Sequence, residues 1–140
     1  MQTFVPYGAN FDRNAQVLDR QRLGKQRVET WQILNAIRGL SKGWVNHPAT
    51  VMWREHPEAL IYYGIAMCDE WIGRGYSDTM RDRFVALTDR SLFWIDLPSW
   101  LNQEDVMVSH RSNLIRKRPD IYQQVWPEVP NDLPYVWPVA

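Results

Sequence analysis

Apolar residues recur along the chain at intervals of three and four, which is the period of an α-helix. No stretch shows the clear alternation of apolar and polar residues that is typical of a half-buried strand. The pattern therefore predicts an all-α fold, with residues 1–140 forming a single compact domain of about four to five helices. The long predicted helices span 15–38, 58–72 and 103–117.

The first long helix is bounded by residues that favour helix ends. Asn14 precedes it and is a good N-cap, and Gly39 follows it. The first part of this helix is more polar. It could therefore form a separate turn, or bend near Gly24, in place of one continuous helix. The residues predicted to face the core are Val28, Trp31, Leu34 and Ile37.

Caps and prolines also mark the shorter elements. His47 precedes Pro48, an N-cap followed by proline at the first helical position. Asp78 can cap a later helix, and Asn102 with Asp105 resembles a capping box. Short helices are therefore predicted at 49–55, 79–89 and 120–125.

Two segments lack a helical pattern. Residues 91–101 are rich in aromatic side chains and are interrupted by Pro98, which predicts an irregular connection. Residues 126–140 hold four of the nine prolines. Such a segment cannot remain helical, so we expect an extended proline-rich C-terminal tail that wraps the surface.

Composition excludes several classes of protein. The chain is 45% hydrophobic and 13% aromatic, which excludes disorder. No apolar run approaches the roughly 18 residues of a membrane span, and the N-terminus lacks the build of a signal peptide. Cys68 is the one cysteine, so neither an internal disulfide nor a cysteine-based zinc site is expected. We therefore expect a soluble, cytoplasmic protein.

The net charge of zero conceals an uneven distribution. Residues 13–42 carry seven basic and two acidic side chains, and 106–119 carry four basic and no acidic ones. The remainder has a net charge of −9. Because screening limits charge interactions to about 8–10 Å, a local basic face can bind a polyanion although the total cancels. The alternative is that both stretches are ordinary solvated helix faces.

Few residue patterns suit a metal ion or a thiol nucleophile. The three histidines lack the i,i+4 spacing of a helical metal site, and no acidic cluster has the spacing of a calcium loop. We expect no metal and no cofactor. Cys68 falls within the apolar helix 58–72, so that a buried, inert thiol is the favoured interpretation.

One face of the first long helix combines a carboxylate with cations. Arg22, Lys25, Gln26 and Glu29 lie three and four residues apart and so share that face. A carboxylate among cations suits proton transfer or the stabilisation of a developing positive charge. The alternative is a simple surface pair between Lys25 and Glu29, which contributes a few tenths of a kcal/mol.

The second basic stretch also has two interpretations. Its histidine, arginines, serine and asparagine are side chains that commonly contact phosphate. Cations near a helix C-terminus also stabilise the helix. The aromatic residues that follow could stack on unpaired bases or pack the tail onto the core. The residues of the basic stretch are His110, Arg111, Ser112, Asn113, Lys117 and Arg118, and the aromatic residues are Tyr122, Trp126, Tyr135 and Trp137.

Three segments resemble the pyrimidine-dimer DNA glycosylase family, of the small phage endonuclease V type with its short bacterial and phage relatives. They are LDRQRLGKQRVETWQIL (18–34), EWIGRGY (70–76) and SHRSNLIRKRPDIYQQVWPEVPNDLPYVWP (109–138). The resemblance implies a monomeric all-α enzyme that cuts double-stranded DNA at a damaged or modified base, without a metal or cofactor.

The resemblance also implies roles for individual residues. Glu29 matches the catalytic glutamate of the family, and Arg22 and Lys25 would line the phosphates. Arg118 and Tyr122 match a C-terminal segment that contacts DNA. The DNA-binding residues expected in all are Arg20, Arg22, Lys25, Arg27, His110, Arg111, Asn113, Lys117, Arg118 and Tyr122.

The nucleophile departs from the family pattern. The resemblance implies an N-terminal α-amine, which the family usually exposes by removing Met before a small residue, whereas residue 2 here is Gln. Met1 could carry the amine, processing could differ, Lys25 could substitute, or abasic-site lyase activity could be absent. A non-catalytic DNA-binding or damage-sensing module, a protein–protein interaction domain and removal of a hypermodified phage base are the alternative functions.

Overall fold

The structure, a computed structural model, describes residues 1–88 and 95–138 and confirms the all-α class. Seven α-helices and one 3-10 turn form within these residues, and no strand does. Three helices are long, with 18, 17 and 14 residues, and the other four have seven residues or fewer. In chain order they are α1 (Phe11–Val17), α2 (Arg20–Ile37), α3 (Pro48–Trp53), α4 (Pro57–Gly73), α5 (Arg81–Val85), the 3-10 turn Ser99–Asn102, α6 (Glu104–Lys117) and α7 (Pro119–Tyr122).

The chain enters its first helix earlier than predicted. Asn10 caps α1, because its Oδ1 accepts a hydrogen bond from the backbone N–H of Arg13 at 3.1 Å. Asn14 is buried inside α1, where its Oδ1 accepts from Tyr7 N–H at 2.7 Å and its Nδ2 donates to the Gly8 carbonyl at 2.9 Å. The predicted cap at Asn14 is therefore wrong. This asparagine fixes the turn that leads into the helix.

The interruption between the first two helices lies at Leu18 and Asp19, not at Gly24. The guanidinium of Arg74 donates to the Leu18 carbonyl at 2.7 Å, which satisfies a backbone group at the end of α1. Gly24 continues α2 and lies against the ring of Trp71, where an added Cβ would come within 3.2 Å of ring atoms. The glycine therefore serves close packing and not a bend.

The core lies between α2 and α4, with α1 and α5 packed against α4. Leu34 is buried as predicted, whereas Val28 is exposed, and Leu23 and Ile33 are buried on α2 in addition. Cys68 is fully buried, and burial raises the pKa of its thiol to about 12, as expected of an inert cysteine. None of the described helices is long and apolar enough to cross a membrane.

The proline-rich tail is extended and lies along α6. Ser112 Oγ accepts from Leu133 N–H at 3.0 Å, and Asn113 Nδ2 donates to the Leu133 carbonyl at 3.0 Å. Ser109 Oγ accepts from Val136 N–H at 3.1 Å. These bonds satisfy the backbone of a segment that has no ladder partner. Polar side chains of α6 therefore decide where the tail lies.

The starts of α5 and α6 differ from the caps that the sequence predicts. Asp78 binds the start of α5, since its Oδ2 accepts from Met80 N–H at 3.1 Å and from Arg81 N–H at 2.7 Å, but the N-cap position itself is Met80, two residues later than predicted. The capping box before α6 is wrong, because Asn102 Oδ1 accepts from Ala9 N–H at 3.1 Å and thereby anchors the N-terminal segment. The irregular segment 91–101 lies in part outside the described residues, as does the predicted end of helix 79–89.

Candidate active site

A small cleft of about 210 Å³ collects chemical groups from four distant parts of the chain. The N-terminal segment, α2, the last residue of α6 and the tail all contribute to it. Its volume is below that of pockets which enclose a whole ligand, so a reacting group would bind at its mouth. The lining residues are Met1, Gln2, Phe4, Arg22, Lys25, Gln26, Glu29, Lys117 and Tyr135.

The carboxylate of Glu29 lies beside the N-terminal backbone. Its Oε2 is 3.4 Å from the backbone nitrogen of Gln2, which donates to it. The same oxygen is 3.5 Å from Gln26 Nε2. The side chain of Met1 also borders the cleft. A helix-borne carboxylate and the start of the chain therefore meet, although 27 residues separate Gln2 from Glu29.

Gln26 holds the N-terminal segment in this position. Its Oε1 accepts from Phe4 N–H at 2.9 Å, and its Nε2 donates to the Gln2 carbonyl at 2.7 Å. The Tyr63 hydroxyl lies 2.7 Å from both Gln26 Oε1 and the Phe4 carbonyl, and its one hydrogen can donate to one of these acceptors at a time. Burial raises the pKa of Tyr63, so it remains a donor. Gln26 is 1% exposed.

Two further buried side chains fix the same segment. Trp53 Nε1 donates to Thr3 Oγ1 at 2.8 Å, and His110 Nδ1 accepts from Val5 N–H at 2.9 Å. Burial lowers the pKa of His110 to about 3, so its ring is neutral at pH 7 and Nδ1 remains free to accept. The residues that directly follow Gln2 are therefore held against the core.

The two basic stretches predicted from the sequence converge at the cleft. Arg22 and Lys25 reach it from α2, and Lys117 reaches it from α6. A wider groove of about 610 Å³ adjoins it, shares Lys25, and adds Arg20 and Arg118 to the lining. Cations that surround a concave surface attract phosphate and raise the local concentration of a polyanion.

Four arginines expected to bind DNA are engaged within the protein. Arg22 lies 3.4 Å from Asp19 and Arg118 lies 2.8 Å from Asp120, and both of these arginine side chains stay partly exposed. The other two, Arg27 and Arg111, are held by more distant parts of the chain. Arg27 lies 2.6 Å from Asp78 Oδ1 through Nη2 and 4.6 Å above the ring of Trp71, with 11% of its side chain exposed. Arg111 Nε donates to the Pro6 carbonyl at 2.9 Å, and its guanidinium lies 5.2 Å from the ring of Tyr7. Both side chains hold elements together, so they are poorly placed to meet a phosphate.

Three other expected DNA contacts are buried. His110 binds the N-terminal segment and Asn113 binds the tail, as described above. The Tyr122 hydroxyl accepts from Asp19 N–H at 2.7 Å and donates to the Asp19 carboxylate. A buried polar side chain that is bonded internally does not reach DNA without breaking those bonds, although the buried Nε2 of His110 has no hydrogen-bond partner among the described residues. The geometry gives all three a structural role.

Sequence reasoning assigned no role to Gln26 or Tyr135 at this site. The signal for Gln26 was present, because it lies three residues before Glu29 on the same helix face. Tyr135 reaches the cleft through the tail, whose path depends on α6, and no spacing rule indicates that. Among the residues the structure describes, no group of three or more His, Cys, Asp or Glu is placed to hold a metal ion.

Comparison with protein-family models gives a match over the first part of the chain. A family model described as pyrimidine dimer DNA glycosylase matches residues 1–84, which is more than half of the 140-residue chain. The matched part includes Glu29, Gln26 and the N-terminal segment that they hold. Neither the curated proteins nor the solved structures gave a match. The chain belongs to the pyrimidine dimer DNA glycosylase family.

Proposed function

We propose that this protein excises a damaged or modified pyrimidine from double-stranded DNA, with an amine as nucleophile and Glu29 as the assisting carboxylate. The observation that carries the proposal is the 3.4 Å contact between Glu29 Oε2 and the backbone nitrogen of Gln2. A catalytic carboxylate must lie within reach of the group on which it acts, and this one adjoins the start of the chain.

The reaction needs an amine that is partly neutral at pH 7. An α-amine has a pKa of about 8 and a lysine amine one of about 10.4, so the α-amine is the better nucleophile. Its nitrogen forms a bond to C1′ of the damaged nucleotide, and the base leaves with the electrons of the glycosidic bond. Loss of the amine proton and opening of the sugar ring yield an imine.

Glu29 would act on the positive charge that develops during this step. Its carboxylate opposes the oxocarbenium character at C1′, accepts the proton that the attacking amine loses, and returns a proton to O4′ as the sugar ring opens. The imine makes the C2′ proton acidic, so its removal expels the 3′ phosphate and breaks the strand. Water then releases the enzyme. The proposed activity is therefore glycosylase and abasic-site lyase in one site.

Two α-amines fit the cleft. Met1 borders the cleft directly, and its amine would be the nucleophile if the residue is retained. Removal of Met1 would leave the amine on the Gln2 nitrogen, at the Glu29 contact itself. Lys25 on α2 also lines the cleft and could substitute, and Lys117 of α6 is a further amine there. We favour the α-amine because of its lower intrinsic pKa.

The proposed DNA-binding surface consists of the cations around the cleft and the adjoining groove. Arg20, Arg22, Lys25, Lys117 and Arg118 form it. Their contacts would be to phosphates, so binding should weaken steeply as salt rises. Extruding or unstacking a nucleotide costs a few kcal/mol, and these contacts would offset that cost.

The experiment that tests the proposal compares duplexes of one sequence that carry an ultraviolet pyrimidine dimer, an abasic site, a modified pyrimidine or no lesion. Base release and strand cleavage are scored separately. We expect release from at least one altered duplex, cleavage of the abasic one, and no action on the unmodified one. Salt-sensitive binding without any product would instead favour a damage-sensing module, and the absence of both would contradict the proposal.

A further inference from the structure

Trp44 stands out in the exposed loop that joins α2 to α3. Its side chain is 49% exposed, and its φ of 66° lies in the left-handed region that favours glycine. A bulky residue in that region is strained, and such strain persists mainly at functional sites. A strained backbone that holds a large apolar ring in solvent needs an explanation other than packing.

A row of rings connects Trp44 to the cleft. The ring centroids of Trp44 and His47 are 5.5 Å apart, those of His47 and Trp137 are 5.9 Å apart, and those of Trp137 and Tyr135 are 5.3 Å apart. Tyr135 lines the cleft that contains Glu29. Trp44 is therefore the outer end of an aromatic wall that begins at the proposed site of reaction.

His47 fixes the middle of this wall. Its Nδ1 accepts from Ala49 N–H at 3.0 Å at the start of α3, which sets the orientation of the ring. Burial lowers the pKa of His47, and the charge of the N-terminal amine lowers it further while that of Glu29 raises it. Two charged groups of the cleft, the N-terminal amine and Glu29, therefore act on this ring, which agrees with the row of ring contacts in placing it beside the site.

The loop is basic as well as aromatic. Arg38 and Lys42 are exposed on either side of Leu40, and neither forms an ion pair with any part of the chain that the structure describes. Exposed cations in the same loop as an exposed aromatic ring suit a base outside the helical stack, since phosphates can meet the cations while the base meets the ring.

We propose that Trp44 stacks on a nucleobase that has lost its pairing partner next to the reacting nucleotide, and that this contact makes the enzyme prefer distorted over intact duplex. The inference rests on the proposed function, since it assumes that DNA lies at the cleft. The strained loop holds the ring ready before DNA arrives, so little ordering is required on binding.

The test uses two duplexes of one sequence, one fully paired and one with a single tetrahydrofuran abasic analogue, which leaves the opposite base unpaired and cannot form an imine. The variants are Trp44→Gly, Trp44→Phe and, as a control, Tyr62→Ala. Tyr62 is 37% exposed and borders a pocket that shares no residue with the cleft. Glycine accepts the left-handed backbone, so Trp44→Gly should melt no lower than the wild type.

We expect Trp44→Gly to bind the abasic-analogue duplex about tenfold more weakly, as the loss of one stacked base predicts. Its affinity for the paired duplex should stay within about twofold, because phosphate contacts dominate there. Trp44→Phe should keep most of the preference, and Tyr62→Ala all of it. An equal loss on both duplexes, no loss on either, or a wild type without preference would overturn the inference. Trp44-dependent preference in a protein that releases no base would overturn the proposed function instead.

Discussion

Glu29→Gln is expected to lower the rate of base release by about two to three orders of magnitude, the usual effect of removing a group that stabilises transition-state charge. Glutamine has the same shape, and its Oε1 can still accept from the Gln2 nitrogen, now 3.4 Å from Glu29 Oε2. What it lacks is the negative charge that the developing sugar cation requires. Single-turnover base release on the preferred duplex measures the effect.

The fold should tolerate this change. Glu29 is only partly buried, and its two contacts at Oε2 are long, at 3.4 and 3.5 Å. We expect a change in the free energy of unfolding of about 1 kcal/mol or less. Glu70→Gln is the matched control, because Glu70 pairs with Arg74 at 3.0 Å outside the cleft. Wild-type turnover in Glu29→Gln, or a stability loss that explains its inactivity, would contradict the assigned role.

Gln26→Leu is expected to destabilise the fold by about 3 kcal/mol and to slow base release in the protein that remains folded. Leucine leaves the Phe4 N–H and the Gln2 carbonyl without partners in a buried setting, at about 1–3 kcal/mol for each group. It also frees the segment whose nitrogen contacts Glu29, and small misplacements of a reacting group are costly. Urea unfolding and single-turnover release at low temperature separate the two effects.

Tyr63→Phe is the control for Gln26→Leu. It removes the hydroxyl that lies 2.7 Å from Gln26 Oε1 but leaves both hydrogen bonds of Gln26 to the backbone. We expect a loss of about 1 kcal/mol in stability and little change in base release. Release at the wild-type rate by folded Gln26→Leu would show that Gln26 serves the fold alone and does not position the reacting group.

Helical periodicity was sufficient to predict the fold class and the shared face of Arg22, Lys25 and Glu29, because both depend on residues close in sequence. The helix ends were less predictable. Asn14 and Asn102 are residue types that favour N-caps. In the fold, however, the side chain of Asn14 binds the backbone of Tyr7 and Gly8, and that of Asn102 binds the backbone of Ala9, so neither caps a helix.

The charge pattern predicted a local basic face, and the two stretches do meet at the cleft through Lys25 and Lys117. It could not separate cations that face solvent from those bound internally. In the sequence Arg27 and Arg111 resemble Arg22, which forms a partly exposed 3.4 Å pair with Asp19 and still lines the cleft, whereas Asp78 and the Pro6 carbonyl bind the other two away from it. Such partners lie dozens of residues away, so only the packed structure identifies them.

Borohydride trapping on an abasic duplex, followed by mass-spectrometric mapping of the crosslinked peptide, tests the central claim most directly. Reduction converts the imine into a stable amine and marks the residue that attacked C1′. We expect a crosslink at the α-amine of the first residue of the mature chain, which is Met1 or Gln2. Both residues line the cleft that contains Glu29. A crosslink at Lys25 or Lys117, or none with an enzyme that cleaves the duplex, would contradict an α-amine nucleophile.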